Sequence, residues 1–121
     1  MDRKKEAVGL LRQYDALRQA RENLRALVGL EGGQALIGQL YRTEKTLEVI
    51  RRGLAALTPE ERLILSRFYI YREKGHAQRL CQTLSVEQSS VYRRKDQAVE
   101  KFTEAVYGER RERCLTTDTA T

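Results

Sequence analysis

Tryptophan is missing from this 121-residue chain, and proline and histidine occur once each, at Pro59 and His76. The two cysteines, Cys81 and Cys114, are far apart and form no Cys-x-x-Cys pair. With a single histidine beside them they exclude a four-ligand zinc site within one chain and argue against a disulfide scaffold. No apolar run approaches the ~18 residues of a membrane span, so no membrane partner is expected. The opening Met1-Asp2-Arg3-Lys4-Lys5 leads into polar sequence and not into an apolar stretch, so a secretory leader is not expected and a reducing cytoplasm is. Strand signals are lacking too: there is no alternating Val/Ile/Thr run and no Asn-Gly or Asp-Gly turn. Ser89-Ser90 has no histidine beside it. Gly29-Leu30-Glu31-Gly32-Gly33 follows no strand and precedes no Gly-Lys-Ser/Thr. Neither a nucleophile site nor a phosphate cradle is supported, and no enzyme activity, cofactor or metal is expected.

What the chain does hold is charge and helical periodicity. Charged residues make up 33% and hydrophobic ones 40%, a modest core with long exposed helix faces. Lys and Arg number 23 against 17 Asp and Glu, a formal charge of +6 that favours polyanionic partners. The excess is +4 over residues 1–57, +2 over 58–107 and zero over 108–121. Ala7, Leu10, Tyr14, Leu17, Arg21, Leu24 and Val28 step by three and four, and glycines then break the helix. Leu36, Leu40, Thr43, Leu47, Ile50, Leu54 and Leu57 alternate four and three without a slip, the heptad of a helix lying along another helix. The two series predict an all-α fold that begins with an antiparallel helical hairpin, an arm over residues 1–57. The same heptad leaves a homodimer through the arm as an alternative use.

Thr58-Pro59-Glu60-Glu61 carries the signature of a capped start, with Thr58 at the N-cap, Pro59 at the first helical position and Glu61 completing a capping box. A helix is predicted from Pro59 to about Arg72, burying Leu63 or Ile64, Leu65 and Phe68. A short helix over 77–84 follows, then the turn Ser85-Val86-Glu87, then a long helix from about Gln88 to Tyr107 closed by Gly108. Residues 58–108 thus read as a helix-turn-helix DNA-binding domain, and 109–121 as a flexible tail. Val91, Ala98 and Phe102 mark the inner face of the long helix. At 100° per residue Ser89, Arg93 and Asp96 then point away, flanked by Gln88 and Tyr92. Tyr92 is also compatible with a packing role. Cys81 reads as a small residue that lets the two helices approach.

Leu57–Leu65, Leu84–Arg94 and Ala98–Phe102 resemble region four of bacterial sigma factors. They are more closely similar to the small sigma-like regulators of phages and prophages of Gram-positive bacteria. The resemblance implies a transcriptional regulator that binds double-stranded DNA through the second helix of the motif, with base contacts at Gln88, Ser89, Tyr92 and Arg93. Arg79, Arg94 and Lys95 are the cations expected at phosphates. Two positions depart from the family pattern: Ser85 replaces the usual turn glycine, and Arg94 an inward aliphatic residue. Residues 1–57 do not resemble the promoter-melting region, so a complete sigma factor is not expected. Two other functions remain open, a protein–protein adaptor that binds RNA polymerase and the DNA-recognition subunit of a phage packaging enzyme.

Overall fold

The computed structural model describes residues 2–72 and 74–108. Five α-helices account for most of them: α1 (Arg3–Val28), α2 (Ile37–Ala55), α3 (Pro59–Leu65), α4 (His76–Leu84) and α5 (Gln88–Tyr107). A 3₁₀ turn over Gly33–Leu36 leads into α2, and a π-helical turn over Ser66–Ile70 extends α3. No strand occurs among the described residues, and no helix there is long and apolar enough to cross a membrane. The expected tail, with Cys114, lies outside the described residues.

The starts of α1 and α3 and the end of α5 are set by local chemistry. The Asp2 carboxylate accepts from the Lys4 and Lys5 backbone N–H groups at 3.1 and 3.3 Å and so caps α1. At α3 the capping box is complete: Glu61 N–H donates to Thr58 Oγ1 at 3.2 Å, and Thr58 N–H donates to the Glu61 carboxylate at 2.8 Å. Gly108, at φ +66°, ends α5. The helix predicted over 59–72 differs in its second half. Tyr71 N–H reaches back five residues to the Ser66 carbonyl at 2.7 Å, so the chain widens into one π turn there. That widening lets consecutive residues serve different places: Phe68 packs into one core, Ile70 against another, and Tyr69 against both.

α1 and α2 form the antiparallel hairpin. Arg25 near the end of α1 pairs with Glu44 near the start of α2 at 2.8 Å, whereas Ala7 and Leu11 share a core with Ile50 and Leu57 at the other end. The heptad faces inward as predicted, with Leu47 and Ile50 wholly buried. Core one is built from Ala7 and Leu11 of α1, Ile50 of α2, Leu57, Leu65 of α3, and Ala98, Val99 and Phe102 of α5. It therefore draws on both sides of the 57/58 boundary. Core two holds Ile64, Phe68, Ala77, Leu80 and Val91, with Cys81, Leu84 and Val86 packed against it. Of the pair left open in α3, Ile64 is the fully buried one and Leu63 lies at the margin. α5 runs through both cores, its first turns in core two and its second half in core one.

Gly53 explains how α2 and α5 come so close. A Cβ at this position would lie 2.6 Å from the Phe102 ring and 2.7 Å from Val106, closer than any side chain tolerates.

Candidate nucleic-acid interface

α4, the turn and α5 present the face singled out in the sequence. The turn depends on Ser85, which adopts the left-handed region at φ +57°, ψ +45°, the one non-glycine residue with positive φ among the described residues. Val86 N–H then donates to the Cys81 carbonyl at 3.1 Å, satisfying the end of α4, and the Val86 side chain tucks into core two. Glu87 occupies the N-cap of α5 in extended conformation, but its side chain makes no capping hydrogen bond. The first N–H groups of α5 thus have no side-chain acceptor, the electrostatic setting in which a helix start attracts an anion.

Gln88, Ser89, Tyr92 and Arg93 lie together on the exposed side of this helix, with Asp96 in the same row. Arg93 donates to Ser90 Oγ at 3.4 Å, a weak local bond that a ligand can displace. Tyr92 takes the packing role while staying partly exposed. Its ring meets Phe68 edge-on at 5.5 Å, yet the residue is 41% exposed. Packing on a buried neighbour fixes its direction while leaving its outer edge accessible.

The expected phosphate contacts separate into two groups. Arg79 is exposed on α4 and lines a recess with Leu63, Arg67, His76, Leu80 and Thr83. Arg94 and Lys95 instead turn toward the protein. Arg94 forms an ion pair with Glu60 at 3.1 Å and ties α5 to the first turn of α3. Lys95 pairs with Asp96 at 2.7 Å, and its ammonium lies 5.7 Å from the Phe68 ring centre and 6.0 Å from that of Tyr92. Only 19% of its side chain is exposed. Burial by itself would depress the Lys95 pKa; the hydrogen bond and charge of Asp96, together with Tyr69, outweigh it and hold the pKa above the usual lysine value.

Arg67 and His76 are the residues that sequence reasoning missed. His76 meets the Phe68 ring edge-on at 4.5 Å, so the basic recess and Tyr92 are both anchored on one phenylalanine. A helical projection of 59–72 sets Arg67 only about 60° from Ile64, on the flank of the inner face, and so did not single it out. His76 gave no signal either, because its placement depends on the π turn bringing Phe68 beneath it. No cluster of three His, Cys, Asp or Glu able to hold a metal occurs among the described residues.

No family model, no curated protein and no solved structure matches the chain.

Proposed function

We propose that the chain is a sequence-specific DNA-binding transcriptional regulator of the phage or prophage sigma-like kind, reading the major groove with the first turns of α5. One observation carries the reading: Gln88, Ser89, Tyr92 and Arg93 form a polar exposed row on a helix held rigidly by two cores. Arg93 suits a bidentate contact to guanine and Gln88 one to adenine, while Ser89 serves either base and Tyr92 a thymine methyl or a phosphate. Arg79, with Arg67 beside the same recess, supplies positive charge for the backbone beside that row. The row also brings an acid, Asp96, which accepts from a cytosine amino group and disfavours other partners at its position.

Selection of bound duplexes from a random pool tests this directly. A recovered consensus that shifts the protein in a mobility assay supports the reading, and absence of any complex at low salt ends it. Arg94 and Lys95, committed to Glu60 and Asp96, favour a second reading in which the same fold acts as an adaptor on RNA polymerase. Recovery of polymerase with no DNA complex would select that one. A homodimer through the arm would need a different face from the Leu36–Leu57 heptad, whose centre is buried within one chain.

A further inference from the structure

The inner face of α2 is consumed by α1 and α5, but its outer face has an apolar row of its own. Ile37, Tyr41 and Val49 are 51%, 60% and 40% exposed. Tyr41 and Val49 stand eight residues apart, about 12 Å along the axis. Together with Glu44, Lys45, Glu48 and Arg52 they line a shallow groove. Three large apolar side chains on one helix face, rimmed by charge, mark an interaction surface better than scattered exposed residues do.

The charges around the groove say what fits it. Both of its carboxylates are already neutralised within the chain: Glu44 by Arg25 at 2.8 Å, and Glu48 by Arg52 at 2.9 Å with Arg51 at 3.7 Å. Of the cations, Arg52 is committed to Glu48, whereas Lys45 in the groove and Arg42 beside it on α2 pair with no carboxylate among the described residues. Lys45 lies over the Tyr41 ring, 5.4 Å from its centre. The groove therefore offers two apolar residues, Tyr41 and Val49, with the uncommitted Lys45 one turn from each. A second copy would bring the same excess cations against themselves, and a nucleic-acid backbone would leave Ile37, Tyr41 and Val49 uncovered.

We propose that the outer face of α2 docks an acidic amphipathic helix of a partner protein, with aliphatic side chains against Tyr41 and Val49 and carboxylates against Lys45 and Arg42. This is helix-on-groove recognition, in which apolar anchors supply affinity and the charged rim supplies choice of partner. Nothing in it depends on α5 reaching DNA.

A displayed library of random helical peptides, selected on the full chain, gives the test. The selected peptides should carry excess Glu and Asp on either side of aliphatic residues spaced three, four or seven apart. Tyr41→Ala and Lys45→Glu, both at exposed positions, should each weaken the best peptide about tenfold or more without changing the melting temperature. Exchanging that peptide's acids for lysines should restore binding to Lys45→Glu, which a merely structural effect would not do. Selection of uncharged or basic peptides, or binding indifferent to both variants, overturns the proposal. Self-association lost in Tyr41→Ala would assign the face to a second copy instead. Competition for it by random DNA would assign it to nucleic acid.

Discussion

Arg93 and Lys95 sit two positions apart on α5 and meet different surroundings, so their removal should read out differently. Arg93→Ala should weaken the preferred DNA site by about 1–3 kcal/mol and random DNA far less, measured as the ratio of the two affinities. Equal losses would reassign Arg93 to the backbone. Arg79→Ala should weaken all sequences alike and flatten the slope of log affinity against log salt by about one unit. Lys95→Ala should lower the melting temperature as well, because it leaves Phe68 and Tyr92 without their cation and Asp96 without its partner. Ser85→Gly should stabilise the fold by about 1 kcal/mol, since glycine enters the left-handed region without the steric cost serine bears there. Much of this row was legible beforehand: setting Val91, Ala98 and Phe102 inward places Ser89 and Arg93 outward by arithmetic alone. The same projection puts Arg94 and Lys95 on the flanks of the inner face. What it lacked was the position of Glu60 and Phe68, which fixes where those two side chains turn.

At the level of the helix, caps and seams decide stability. Thr58→Ala should cost about 1 kcal/mol through the lost N-cap acceptor, measured by thermal unfolding. Glu61 adds a pH dependence. Burial would raise its pKa, but the Thr58 backbone N–H and Lys101, at 2.9 Å, outweigh that and lower it below the usual carboxylate range. A pKa depressed in the folded chain means stability that is complete above the unfolded pKa and lost as acid protonates the folded carboxylate. Wild type should therefore lose melting temperature on acidification faster than Glu61→Gln does. Leu47→Asp should cost several kcal/mol by burying an unpaired carboxylate in the α1–α2 seam. Gly53→Ala should cost about 1–3 kcal/mol by forcing Phe102 and Val106 away. Helix starts and stops were readable because caps are local chemistry. Gly53 was not, since nothing in its neighbours along the chain announces a helix crossing it from residues 102 and 106.

Across the whole molecule, the arm and the helices after it share core one, and their stabilities should be joined. A single calorimetric transition is expected for the full chain. A piece restricted to residues 58–108 would expose Leu65, Val99 and Phe102, which the arm covers, and should melt without a cooperative transition. Independent, sharp melting of that piece would show that core two suffices. The arm also reaches the π turn, where Arg12 lies over the Tyr69 ring and Arg18 donates to the Tyr71 hydroxyl at 2.6 Å. That turn holds one residue more than an α-helical turn, so it acts as a spacer in rotational phase. Deleting one residue between Ser66 and Ile70 would return the segment to a regular helix. The extra residue is what lets Phe68 and Ile70 face different cores, so after the deletion one core would lose its contact from this turn. Every capping signal would remain, yet the two cores would no longer be joined through this turn.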